Sequence, residues 1–168
     1  QAILDGKGGF VFGLTPADDY FHAYGLANPL TAFSNLAFSI GSEIAIPDTG
    51  LGFAGGTMLG ENWYWKAGVH DANGSSSDPN LDVIGDWELY KNFELGWSTS
   101  LGKLYLNNVH LGGWHADARQ EAGTPESWGI VANASWYFED VGMMPFIRGG
   151  WSDGEAALLN GQVSAGLG

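Results

Sequence analysis

Residues 63–70 read Trp-Tyr-Trp-Lys-Ala-Gly-Val-His, with Trp, Trp, Ala and Val at odd positions and Tyr, Lys, Gly and His at even ones. A period of two marks a strand with two unlike faces, because successive side chains leave opposite sides of a sheet. Residues 93–101 repeat it: Phe93, Leu95, Trp97, Thr99 and Leu101 face one way, Glu94, Gly96, Ser98 and Ser100 the other. Over 128–138, Trp128, Ile130, Ala132, Ala134, Trp136 and Phe138 share one face, and Gly129, Val131, Asn133, Ser135 and Tyr137 the other. Weaker versions at 143–152 and 162–168, with 104–111, 51–59 and 8–14, bring the predicted strands to eight. Gly112-Gly113 after 104–111 predicts a bulge, which leaves the facing of Trp114 and His115 open.

Well inside these strands stand three charges, Lys66, Glu94 and Arg148, all opposite the apolar series. A soluble antiparallel sheet also alternates, but it covers its wet face with Lys, Glu and Thr. Here that face is Gly, Ser, Asn and Tyr, the composition of a crowded lumen. The other face is Trp, Phe, Leu, Ala and Val. Predicted connections alternate as well. Those at 60–62, 102–103 and 139–142 are short, whereas 15–50, 73–92, 118–127 and 153–161 are long, the order of an outer-membrane barrel with tight periplasmic turns and long outer loops. The three short ones are therefore expected on one rim. Trp128 and Trp136 lie about 26 Å apart along a strand at ~3.3 Å per residue. Strand tilt shortens that to ~20 Å, near the ~25 Å apolar band of such barrels. Trp63, Trp65, Trp136 and Phe138 gather near short turns and Phe93, Trp128 and Trp151 near long ones, which reads as two interfacial belts. On this reading Trp65, Val69, Leu95, Trp97, Ile130, Ala134 and Ile147 face lipid, and Lys66, His70, Glu94, Asn133 and Arg148 face the lumen.

Composition narrows the partners. Six Lys+Arg against 19 Asp+Glu give a net charge of −13, which excludes the basic footprint that nucleic acid requires. Apolar residues at 45% and eight Trp exclude a disordered acidic chain. There is no cysteine, hence no disulfide framework and no thiol site. No run approaches the ~18 apolar residues of a spanning helix. The chain of 168 residues begins at Gln1, and its last residues still read as strand, so a single segment of a longer barrel is expected over 1–168, lacking first and closing strands.

Thr15-Pro16-Ala17-Asp18 carries a cap, a Pro and an acid, which predicts a short helix over 16–26. Single helical turns are predicted at 86–93 and 155–159. Asp71, Asn73, Ser75 and Asp82 partly match a calcium loop, but Ser76 stands where its sharp turn requires Gly, and a solvated loop with an Asn-Gly turn is the alternative. His110, His115 and Asp117 are near one another in sequence without a metalloprotease helix around them. Glu94 with a second acid could make a glycosidase pair, with nothing to fix their separation. There is no Gly-x-Ser-x-Gly elbow and no phosphate loop. The reading from the residues is therefore a non-enzymatic wall. Lys66, Glu94 and Arg148 set a transverse field. Tyr64, Tyr137 and Trp114 offer aromatic faces, and Asn108, His110 and Asn133 hydrogen-bonding groups. No metal or cofactor is expected.

Several stretches resemble the OprB-type carbohydrate-selective porin family. They are Glu61-Asn62-Trp63-Tyr64 with Gly68-Val69-His70-Asp71-Ala72-Asn73-Gly74, then Val109-His110-Leu111 with Trp114-His115-Ala116-Asp117-Ala118-Arg119. Further along come Ser127-Trp128-Gly129, Ala134-Ser135-Trp136, Met144-Pro145-Phe146-Ile147-Arg148 and Val163-Ser164-Ala165-Gly166-Leu167-Gly168. The resemblance covers most of 40–168 in order; Gly112-Gly113 departs from the bulkier pair expected there. It implies a monomeric transmembrane β-barrel of about sixteen strands in the outer membrane of a Gram-negative bacterium, passing glucose and related sugars, with this chain about half of it. Lys66, His70, Glu94, Asn108, His110, Trp114, Asn133, Tyr137 and Arg148 are the expected pore-lining, sugar-contacting set. Two other readings fit some of these features: a soluble carbohydrate-binding or glycoside-hydrolysing β-sandwich, and a complete eight-stranded anchor barrel.

Overall fold

The computed structural model describes residues 2–28, 30, 32–78, 81 and 83–168. The chain forms one antiparallel up-and-down sheet in sequence order: β1 (Ala2–Ile3), β2 (Gly8–Thr15), β3 (Gly50–Leu59), β4 (Trp63–Asp71), β5 (Leu89–Ser98), β6 (Asn108–Ala116), β7 (Ser127–Ser135), β8 (Pro145–Asp153) and β9 (Gly161–Leu167). All eight predicted strands are present, with β1 added at one edge. The sheet is open, because β1 and β9 are its edges and do not pair with each other. Two short helices lie in connections, α1 (Leu36–Ser39) and α2 (Val83–Asp86).

The two faces divide as the alternation requires. Val69, Leu95, Ile130 and Ile147 are 41%, 41%, 51% and 56% exposed, whereas His70, Glu94, Asn133 and Arg148 are between 0% and 3% exposed. Trp97 stacks on Trp136 at 6.3 Å, and Trp128 meets Trp151 edge-on at 5.2 Å. Trp63 pairs with Trp97, so an aromatic group stands at each rim of the apolar face.

Strict up-and-down order places the β3–β4, β5–β6 and β7–β8 connections on one rim. The contrast in their lengths is smaller than predicted. β5 stops at Ser98 and a 3₁₀ turn (Leu101–Lys103) precedes β6, so that connection is 99–107. β7 stops at Ser135, and 136–144 then turns through the bridge Phe138–Met143. Both are about as long as 117–126 on the opposite rim. In each case an apolar residue past the strand end continued the pattern after the hydrogen-bond ladder had stopped. The β3–β4 turn stays tight, with Gly60 at φ +83°, a conformation that favours glycine.

Other expectations are corrected. Residues 16–26 hold no helix; they turn twice, Tyr20 N–H donating to Ala17 O at 3.2 Å and Ala27 N–H to Tyr24 O at 3.0 Å, with His22 between at φ +55°. Residues 89–93 belong to β5, the helical turn having moved upstream to Val83–Asp86, and 155–159 is bent without helix. Gly112-Gly113 makes no bulge. Gly112 pairs with Glu94 and Val131 and Gly113 with Phe93 and Ile130, so Trp114 faces the polar side and His115 the other.

The core sits where the sequence put the lumen. The described residues of the connection 16–49 fold back across the polar face and pack on it. Ala17, Phe21 and Ile44 cluster with Tyr90, Trp114 and Val131, while Tyr24 meets Met144 and Phe146, flanked by Phe33 and Phe38.

Candidate functional site

Strand pairing lays the polar face out in rows. One row runs Tyr64, Gly96, His110, Asn133, Arg148, Ser164; the next runs Lys66, Glu94, Gly112, Val131, Gly150. Residues far apart in sequence thus become neighbours. Glycines leave room for what lies flat above them. A Cβ at Gly112 would come within 2.7 Å of the Phe21 ring. That hollow seats Phe21 and delivers the next residue, His22, between the two rows.

The helix α1 ends over Arg148. Its last carbonyls lack partners inside the helix, and a cation there is also favoured by the helix dipole. Arg148 Nη1 donates to Phe38 O at 2.8 Å and Ser39 O at 3.0 Å, Nη2 to Ile40 O at 2.9 Å and His22 O at 2.9 Å, and Nε to His22 Nε2 at 3.2 Å. Arginine has five N–H donors, and all are used. The Tyr24 ring lies 4.5 Å from the guanidinium carbon.

These contacts fix protons along a chain. Arginine only donates, so His22 Nε2 accepts and the His22 proton sits on Nδ1, directed at His110 Nε2 at 2.8 Å. His110 then carries its proton on Nδ1, held by Asn108 Oδ1 at 2.5 Å. Asn108 Nδ2 donates to Tyr64 Oη at 2.6 Å, and Tyr64 donates to Glu94 Oε1 at 2.8 Å. The carboxylate also takes Lys66 Nζ at 2.9 Å and, on Oε2, the His22 backbone N–H at 2.8 Å. The relay runs one way, from a guanidinium to a carboxylate. Both imidazoles are neutral in it, since a further proton on either would aim a donor at a donor. Burial, and next to it the Arg148 charge, hold the His22 pKa well below the ordinary histidine value. Glu94 Oε1 lies 3.8 Å from His110 Nδ1, beyond hydrogen-bond reach. Nearby Glu43 is buried with neither oxygen bonded among the described residues, and burial pushes its pKa up.

Six of the nine predicted residues, Lys66, Glu94, Asn108, His110, Asn133 and Arg148, therefore meet in one cluster. They lie beneath 16–49 and not on an open wall. Asn133 Nδ2 joins through Asn108 Oδ1 at 3.3 Å. His70 stands apart, its Nδ1 3.4 Å from Thr15 Oγ1. Trp114 is buried and stacks on Tyr90 at 6.1 Å. Tyr137 lies beyond the end of β7, in the rim connection, its N–H on Asn107 Oδ1 at 2.9 Å.

His115 pairs with Glu126 at 2.7 Å and its Nδ1 lies 3.4 Å from Asp117 Oδ1, which also binds Lys91 at 2.7 Å; His110 is on the opposite face, so the three do not assemble. In the stretch that partly matches a calcium loop, Asp71 Oδ1 accepts Asn73 N–H and Asp48, from another connection, takes Ser76; Asp82 lies outside the described residues. Among the described residues no group of three or more His, Cys, Asp or Glu could hold a metal.

Sequence reasoning missed Phe21, His22 and the α1 carbonyls, having placed 16–49 in a long outer loop. It also missed Asp18, Asp19, Asn28 and Tyr105, which line a cavity of about 350 Å³ beside the segment. A signal was present. Val131, Trp114 and Phe146 are large apolar residues on the polar face, each a place for something to dock.

Comparison with protein-family models, with curated proteins and with solved structures finds no match for this chain.

Proposed function

We propose that this chain forms part of the wall of an outer-membrane channel that passes neutral sugars, glucose and its relatives, by diffusion. One observation carries the reading: the sheet is inside out for water. One face exposes large apolar side chains, such as Phe53, Leu95, Leu111, Ile130 and Ile147, whereas the charges Glu94 and Arg148 in mid-sheet are buried on the other. A soluble sandwich would need a second sheet over the apolar face, and the described residues form only one sheet. Exposed apolar area beyond a few hundred Å² marks a protein or membrane contact. Lipid satisfies this face, and outward apolar with inward polar alternation is the pattern of membrane barrels. Trp63, Trp97 and Trp136 near one rim and Trp128 and Trp151 near the other suit the two lipid–water interfaces. The sugar assignment rests on the stretches that resemble OprB-type porins and on the inner chemistry. Charges of both signs are paired, and Asp18, Asp19, Asn28 and Tyr105 offer exchangeable partners for hydroxyls. Such contacts are each weak, about 0.5–1.5 kcal/mol net, so affinity belongs in the millimolar range, about −4 kcal/mol.

The test is liposome swelling with the full chain reconstituted. Glucose enters faster than a non-sugar solute of similar size, and no glycosidic bond is cut. Absence of glucose entry, or hydrolysis of oligosaccharides, overturns the reading. Folding that persists in buffer without detergent overturns its membrane part.

A further inference from the structure

A second cavity, of about 540 Å³, opens at the rim opposite the tight β3–β4 turn. It is walled by parts of several connections: Asp18 and Ile44 from 16–49, Arg119 after β6, and Leu158 before β9. Its volume is in the range of small-molecule sites, about 300–1,000 Å³. Tyr90, at the start of β5, lines it. The Tyr90 side chain is 0% exposed and its hydroxyl has no hydrogen-bond partner among the described residues. Buried hydroxyls are almost always paired, so an orphan one on a cavity wall points to a missing partner. Arg119 is nearly as uncommitted. Of its side-chain donors, Nη1 reaches Ala72 O at 3.5 Å and Nη2 reaches Thr124 Oγ1 at 3.3 Å, both long.

We propose that this cavity is a binding site for a neutral polyhydroxylated ring, a docking place at the mouth that is separate from the buried relay. The chemistry converges on that class. A guanidinium and a carboxylate on the same wall each engage vicinal hydroxyls in pairs, one donating and one accepting. Asp48 lines the cavity as well, so Arg119 offsets one of two carboxylates and the wall disfavours an anion. Ile44 and Leu158 suit the C–H face of a ring. Tyr90 both donates and accepts, as a hydroxyl ligand requires. The choice of a sugar as occupant rests on the channel reading above; the site itself does not.

Trp114 supplies the readout, since it stacks on Tyr90 at 6.1 Å with 22° between the ring planes. The full chain in detergent is titrated with glucose while tryptophan fluorescence is followed, with Trp114→Phe identifying the responding residue. A saturable millimolar signal that Trp114→Phe removes is the expected result. Tyr90→Phe weakens it at least five-fold with an unchanged or higher melting temperature, because the variant deletes an unpaired group. Arg119→Ala weakens it similarly. Glucuronate and glucosamine bind no more tightly than glucose. A Tyr90→Phe protein that binds as the parent does, or that melts markedly lower, overturns the proposal, as does ten-fold tighter binding of either charged sugar. Normal liposome entry of glucose without saturable binding defeats the site and leaves the channel standing. Saturable, Tyr90-dependent binding without entry leaves the site standing and defeats the channel.

Discussion

At His22 the folded molecule has no room for a second proton, because Arg148 faces one ring nitrogen and His110 the other. With its folded pKa below the ordinary ~6.5, the unfolded chain binds the extra proton first. His22 therefore contributes nothing adverse above pH ~6.5. Stability falls as pH drops below it, by about 1.4 kcal/mol per unit until the folded pKa is reached. An unfolding series in detergent between pH 8 and 5 measures this slope, and His22→Phe removes this histidine's share of it while lowering stability at pH 8. An equal slope in the variant means that other groups carry the acid response. Gly112 gives a second check at this scale. A side chain there collides with the Phe21 ring, whereas the nearest atom to a Cβ at Gly113 is Gly129 O at 3.7 Å. Gly112→Val is expected to cost about 1–3 kcal/mol through overpacking and Gly113→Val within about 0.5 kcal/mol. Comparison of their melting temperatures separates a docking hollow from generic intolerance of side chains in β6.

Among elements, the strands were legible because each carries its own period of two. Trp63 to His70 announces β4 without help from any other part of the chain. Strand ends were less legible. Trp136 and Phe138 keep the apolar parity after β7 has finished at Ser135, and a parity pattern has no term for where a ladder stops. The Thr15-Pro16 cap was locally sound as a helix start, but Phe21 and His22 gain more by reaching Gly112 and the relay than by closing a helix. The apolar face lends itself to a direct trial. Ala132 pairs with Leu111 and Gly149 in the middle of that face. In the proposed lipid setting, Ala132→Arg is expected to destabilise the protein by about 2–4 kcal/mol. A folding titration in lipid showing under ~0.5 kcal/mol would falsify the lipid assignment of this face.

For the whole molecule, the sequence separated the two faces but not what lies on the polar one. Lys66, Glu94 and Arg148 stood out as three charges on one side, which reads as a field across an open passage. In the fold, Glu94 and Arg148 are the two ends of a buried chain of hydrogen bonds that holds segment 16–49 down. That outcome depends on partners 126 residues apart, such as His22 and Arg148, which no local pattern brings together. It also makes Arg148 the natural point at which to loosen the segment. Arg148→Ala leaves the carbonyls of Phe38, Ser39, Ile40 and His22 without their donor, and breaking such a buried charged network costs about 3–5 kcal/mol. The loss falls on the attachment of 16–49, since the β7–β8–β9 ladder does not use the guanidinium. The variant is therefore expected to keep its strand signal in circular dichroism while proteases cut within 16–49 far faster than in the parent. Arg148→Lys, with three donors for five sites, is expected to lie between the two. In planar bilayers, displacement of a segment that fills the proposed passage is expected to raise single-channel conductance, in the order parent, Lys, Ala. Unchanged protection of 16–49 in Arg148→Ala removes the clamp from Arg148. Faster cutting with unchanged conductance keeps the clamp and moves the passage away from this segment.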